Sequence, residues 1–151
     1  ESARATHEDA VLSCVMLDVD HFKQFNDRFG HDAGDAVLRA VGRVLRGSVR
    51  EGGLAFRYGG EEFALLLPGL DVARAQARAD VIRQRVAQII VAHEGVNLGP
   101  ITLSAGVAST PLHCLPVKLI AAADAALLRA KQEGRDRVVT AAIRGSSELA
   151  A

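Results

Sequence analysis

From Val11 to Asp18 the chain reads Val-Leu-Ser-Cys-Val-Met-Leu-Asp, a nearly continuous apolar run closed by an acidic residue. A run this short, without polar alternation, predicts a strand buried on both faces. Asp20 follows Asp18 closely, and Phe22 to Gly30 predicts a short helical stretch stopped by the glycine. From Asp35, the positions Val37, Leu38, Val41, Val44, Leu45 and Val49 recur at helical spacing, with Gly47 and then Gly52-Gly53 placed to end that helix. Leu54 to Arg57 and Phe63 to Leu67 are short strand candidates separated by Tyr58-Gly59-Gly60-Glu61. A Gly-Gly pair between strands predicts a tight hairpin, because both central residues can take positive φ. Asp71 suits the cap of a long helix running to about His93, with Ile82, Val86, Ile89 and Ile90 as its buried stripe. Ile101 to Ala108 is a further strand. A last helix from about Val117 to Glu133 carries Leu119, Ile120, Ala123, Leu127 and Leu128, and Val138-Val139 closes the pattern. Gly134 stands where a helix C-terminal cap belongs. The polar stretch from Glu1 to Asp9 has the character of the tail of a preceding helix.

The order strand, helix, helix, strand, strand, helix, strand, helix, strand mixes a hairpin with helical crossovers. It predicts an α+β fold in one domain over 1–151, with helices packed on a central sheet. Hydrophobic residues make up 49 % but aromatics only 4 %, so Val, Leu, Ile and Ala must fill the core. Lys+Arg and Asp+Glu balance at 18 each, which argues against a broad electrostatic footprint for nucleic acid or anionic lipid. A local phosphate site is still allowed. Cys14 and Cys114 lie far apart and match no metal spacing, so reduced intracellular thiols are expected. No apolar run is long enough to cross a bilayer and no signal peptide opens the chain; a cytoplasmic location without membrane contact in this segment is expected.

Acidic residues stand out for their places. Asp18 ends a buried strand, Asp35 begins a helix and Glu61-Glu62 follows a Gly-Gly turn. Carboxylates at such rigid points can converge on one target, and their oxygens suit Mg²⁺ bound to substrate phosphates. Each alone is also readable as a strand end or a solvated turn. Lys23, Lys131 and Arg135 are candidate phosphate ligands, although Lys131 and Arg135 also suit a helix C-terminus for its dipole.

Taken together, the residues resemble a known family. Leu17-Asp-Val-Asp-His-Phe-Lys-Gln-Phe-Asn-Asp27, Gly30-His-Asp-Ala-Gly-Asp35, Arg57-Tyr-Gly-Gly-Glu-Glu-Phe63, and Ala123-Asp-Ala-Ala-Leu with Ala130-Lys-Gln-Glu-Gly-Arg-Asp-Arg137 are similar to the signature blocks of GGDEF diguanylate cyclases, in the same order. The resemblance implies a mixed, mainly antiparallel sheet flanked by helices, like the nucleotidyl cyclase and polymerase palm fold. It implies an enzyme that condenses two GTP into cyclic di-GMP, with Mg²⁺ or Mn²⁺, as a face-to-face homodimer. Asp18 and the Val19 carbonyl would bind metal. Glu61 would be a metal ligand and proton acceptor, with Glu62 supporting a second metal position. Asn26 and Asp35 would read guanine, and His31 would assist nucleotide binding. The backbone near His21, Phe22 and Lys23, with Lys23, Lys131 and Arg135, would hold the triphosphate.

The match departs in places. Where many members carry an inhibitory Arg-x-x-Asp, this chain has Arg50-Glu-Gly-Gly53, so Arg50 is a remnant and ordinary product feedback is not expected. The usual Tyr of the last helix is Leu128, and the usual Asn after Gly-Arg is Asp136, which sets a negative charge near Arg135. The family's N-terminal Leu-Thr-Gly-Leu…Asn-Arg-Arg segment is absent, so a fragment of lower activity, lacking upstream regulatory parts, is expected. The competing readings are a silent domain that only binds GTP or cyclic di-GMP, another nucleotidyl cyclase making a cyclic mononucleotide, and a structural interaction module.

Overall fold

The computed structural model describes residues 11–49 and 52–142; the stretch Glu1 to Asp9 lies outside them. The first apolar run forms β1 (Leu12–Val19), buried from Ser13 onward. It pairs antiparallel with β3 (Glu62–Pro68) on one side and β6 (Leu103–Thr110) on the other. β2 (Leu54–Arg57) extends the sheet beyond β3, and β7 (Val138–Thr140) joins β6 in parallel. The five-stranded sheet is therefore mixed and mainly antiparallel, in the order β2-β3-β1-β6-β7, as an α+β fold requires.

Strand alternation sends side chains to two helical layers. Val15, Leu17, Phe63, Leu65, Leu103 and Val107 face a core shared with α2 (His31–Arg46) and α3 (Val72–Ala87). Cys14, Met16, Ala64 and Ala108 face α4 (Leu119–Gln132), which follows a single 3₁₀ turn at Pro116–Lys118. α1 (Phe22–Phe29) bridges β1 and α2. α4 lies unusually close to β6 because position 106 is glycine: a Cβ there would stand 2.2 Å from the Ala123 carbonyl oxygen and from the Leu127 amide nitrogen. Cys14 and Cys114 are both buried and form no disulfide. Among the described residues no helix is long and apolar enough to cross a membrane.

Several expectations need correction. α2 begins at His31, not Asp35, because its first turn buries Ala33 and Gly34, small residues that leave no apolar signature. α3 is capped by the Asp71 carboxylate as expected, but it stops at Ala87, before His93. Residues beyond it form a small hairpin, β4 (Ala92–His93) and β5 (Val96–Asn97), turned by Glu94 and Gly95 at φ 51° and 79°. Ile90, placed in the buried stripe, is 79 % exposed, and Leu128 is also exposed. The β2–β3 hairpin forms, yet neither Gly59 nor Gly60 is among the positive-φ residues. A longer turn spans residues 58 to 61, between Arg57 and its ladder neighbour region at Glu62 and Phe63, and Arg57 Nη2 donates to the Gly60 carbonyl across it at 2.5 Å.

Candidate functional site

The C-terminal end of β1, the N-terminal turn of α1, the β2–β3 turn and the loop after α4 meet at a small cleft of about 110 Å³. Asp18, Val19, His21, Phe22, Lys23, Glu61, Lys131 and Arg135 all line it. The structure thus brings together residues that the sequence scatters over more than half its length.

Asp18 is only 5 % exposed. A carboxylate so buried needs a compensating charge, and Lys131 supplies it, donating from Nζ to Asp18 Oδ2 at 2.5 Å. Lys131 stands in the last turn of α4, the helix that packs closely on Gly106. Glu61 enters from the hairpin turn, whose carbonyl accepts from the Val19 N–H at 3.4 Å. Burial, then a hydrogen bond to Asp18 and its negative charge, push the Glu61 carboxyl from 4.5 up to about 7, against the opposing pull of Lys131. Two carboxylates sharing one ammonium form a site that favours a proton or a further cation.

Among the described residues no group of three or more His, Cys, Asp or Glu side chains could by itself hold a metal. Asp18 and Glu61 nevertheless supply hard oxygen donors, with Val19 in the same lining, and this suits an ion such as Mg²⁺ or Mn²⁺ that completes its shell with water and phosphate oxygens. The donor set fits in kind.

α1 offers the other half of an anion site. His21 precedes it in a left-handed conformation, φ 57° and ψ 33°, makes no side-chain cap, and no acidic residue lies in the first turn. The first-turn N–H groups therefore lack a side-chain partner, and the residues bearing them line the cleft beside Lys23, Lys131 and Arg135. Backbone donors and the helix dipole both favour an anion there.

Other candidates stand apart from the cleft. Asn26 Oδ1 is buried without a hydrogen-bond partner among the described residues. It lies against Gly34, where a Cβ would be 1.8 Å from that oxygen. Asp35 is exposed and lines a neighbouring hollow of about 420 Å³ with Leu38, Arg39, Phe56, Arg57 and Phe63. His31 is exposed at the first position of α2. Glu62 opposes Asp18 in the strand ladder but does not line the cleft; burial, Asp18 and Asp124 push its carboxyl up. Arg50 lies outside the described residues.

Asp20, which follows the end of β1, is a further residue that the sequence alone does not single out. In the structure its Oδ1 accepts from Ser104 Oγ at 2.7 Å, while Oδ2 accepts from Thr102 Oγ1 at 2.8 Å and from the Asp136 N–H at 3.0 Å. The signal was its two-residue offset from Asp18, which placed it at the same strand end, though its partners lie 82 to 116 residues away.

Comparison with known proteins agrees with this geometry. The model of the diguanylate cyclase GGDEF domain matches residues 1–137. Diguanylate cyclase VdcA of Vibrio cholerae is 39 % identical over 135 residues, which cover 88 % of this chain and 40 % of that protein. Diguanylate cyclase DgcM of Escherichia coli is 42 % identical over 129 residues, covering 85 % of this chain and 30 % of that protein. The chain thus spans 40 % or less of these curated relatives. The GGDEF domain of DgcB from Caulobacter crescentus, solved in complex with c-di-GMP, superposes with a TM-score of 0.84 at 35 % identity, covering 92 % of this chain and 82 % of that one. By its hairpin motif, its sheet order and these matches, the chain belongs to the diguanylate cyclase GGDEF domain family.

Proposed function

We propose that this domain condenses two GTP into cyclic di-GMP with release of two pyrophosphates. The observation that carries the proposal is the single cleft where the Asp18–Glu61 carboxylate pair meets Lys131, Arg135 and the uncapped N-terminus of α1. The α1 N–H groups, Lys23 and Arg135 hold the triphosphate, and Lys131 can turn from Asp18 toward phosphate oxygens. A divalent ion held by Asp18, Glu61 and the Val19 carbonyl would supply charge neutralisation at the phosphate. Glu61 takes the proton of the attacking 3′-hydroxyl, a role that its place in the cleft beside Asp18 and the phosphate-binding residues supports. In each of two such transfers a 3′-oxygen bonds to an α-phosphorus, the bond from that phosphorus to the β-phosphate oxygen breaks, and pyrophosphate leaves.

Asn26 and Asp35 read the guanine edge, and the orphaned Asn26 Oδ1 supports a side chain awaiting rearrangement or a partner. Two domains meet face to face, each holding one GTP, because each transfer needs the 3′-hydroxyl of one nucleotide aligned on the α-phosphorus of the other. Glu62 and His31 act from outside the cleft, as supports for the metal and the nucleotide. The reaction belongs to the cytoplasm, where GTP is made and thiols stay reduced. Gly53 offers no side chain where many members carry an Asp, so product binds weakly around Arg50. Incubation with GTP and Mg²⁺, with products resolved by mass, tests the proposal. Cyclic di-GMP supports it; a cyclic mononucleotide, or binding without turnover, overturns it.

A further inference from the structure

Three consecutive residues after α4 occupy the left-handed region: Gly134, Arg135 and Asp136, at φ 125°, 65° and 48°. Glycine adopts such a backbone freely, whereas Arg and Asp do so only where surrounding contacts enforce it. The Arg135 side chain makes no hydrogen bond or ion pair among the described residues, although it lines the phosphate cleft. Its position is therefore set by the backbone on either side. The Arg135 N–H donates to the Ala130 carbonyl at 2.9 Å and its carbonyl accepts from Arg137 Nε at 3.0 Å, which ties the loop locally to the end of α4; Asp136 ties it to the rest of the molecule. The Asp136 N–H donates to Asp20 Oδ2 at 3.0 Å, and Asp136 Oδ1 accepts from Arg83 Nη1 at 2.9 Å. Arg83 is itself oriented on α3 by Asp80, whose Oδ1 accepts from Arg83 Nε at 2.8 Å and whose Oδ2 accepts from Gln84 Nε2 at 2.8 Å. The negative charge that the sequence sets beside Arg135 is thus directed to a different arginine, Arg83 on α3.

We propose that Arg83 and Asp136 are positioning residues for triphosphate binding: their ion pair, with the Asp136–Asp20 bond, holds the left-handed loop so that Arg135 stays at the phosphate cleft. This deepens the proposed function and rests on the reading of Arg135 as a phosphate ligand. The Arg83 and Asp136 side chains are 23 % and 46 % exposed. A pair that open to solvent contributes little to global stability, so its loss should show in how often the loop is competent and not in whether the domain folds.

The test measures GTP and guanosine binding by calorimetry with Mg²⁺, KM and kcat for GTP, and melting temperature, on the full chain. Arg83→Met should weaken GTP binding and raise KM by about three- to tenfold, with guanosine affinity, kcat and melting temperature nearly unchanged. Arg83→Lys should recover part of the loss, and Asp136→Asn should reproduce it. If Arg83→Met unfolds, Asp136→Asn decides by the same comparison, since Asn tolerates a left-handed backbone. Equal weakening of GTP and guanosine, or no weakening of GTP, overturns the proposal. Arg135→Ala separates the two levels. If it leaves GTP affinity intact, the phosphate-ligand reading fails; if it weakens GTP while Arg83→Met does not, the positioning role alone fails.

Discussion

The two ends of the β1–β6 pair bury polar groups on opposite terms. At one end, Ser13 Oγ donates to the Leu70 carbonyl at 2.6 Å and shares a 2.5 Å hydrogen bond with Ser109 Oγ, while the Ser109 N–H donates to His113 Nδ1 at 2.9 Å. Burial pushes the His113 imidazole down, toward its neutral form. These serine and histidine groups are hydrogen-bonded to one another and to backbone without an ion pair, and each such bond contributes modestly to stability. At the other end, Asp18 and Glu61 share Lys131, Glu61 is pushed up to about 7, and the α1 N-terminus has no side-chain cap. The same strands carry both sets. What separates scaffold from site is satisfaction, not burial.

The largest effect expected from breaking this contrast is on turnover. On the proposed roles of Glu61, Glu61→Gln would remove a metal-binding charge and the proton acceptor together, and should lower cyclic di-GMP formation at least ~100-fold in an initial-rate assay. Next, Asp35→Ala and Asn26→Ala should shift the preference for GTP over ATP. An unpaired guanine donor costs ~1–3 kcal/mol, so competition binding should show a change of about ten- to a hundredfold. Equal loss for both nucleotides would make these residues parts of the scaffold. At the neutral end, Ser13→Ala strands the Ser109 hydroxyl and should cost ~1–3 kcal/mol in urea unfolding, with turnover per folded molecule retained.

Much of the scaffold was legible in local patterns. β1 and β6 follow from short apolar runs, the β2–β3 hairpin from its Gly-Gly pair, and α4 from the spacing of its apolar positions. The start of α2 was not legible, since Ala33 and Gly34 are buried without being large. Nor was the end of α3, because Ile89 to Val91 continue the helical spacing while the left-handed Glu94–Gly95 turn draws the chain into a hairpin. In the site, Asp18, Glu61, Lys131 and Arg135 could be gathered only through resemblance to a family; no local rule joins residues 113 apart. The Asp20, Arg83 and Asp136 contacts escaped notice for the same reason, being set by tertiary packing alone.

A smaller effect follows from the proton that Glu61 retains. Its folded-state value of about 7 exceeds the ordinary 4.5, so the stability it contributes is fully present below about pH 4.5 and is lost as pH rises through about 7. Without divalent ions, Glu61→Gln should therefore match the wild type in melting temperature near pH 4.5 and exceed it slightly at pH 8. Added Mg²⁺ should narrow the gap by stabilising the wild type.

The most direct measurement sets turnover against urea midpoint for Glu61→Gln and Ser13→Ala at pH 8. The expected result is a crossover: Glu61→Gln remains at least as stable as the wild type but inactive, and Ser13→Ala is less stable but active per folded molecule. If Ser13→Ala loses turnover while keeping its midpoint, or Glu61→Gln loses stability while keeping turnover, the division between a satisfied scaffold end and a charged working end is wrong.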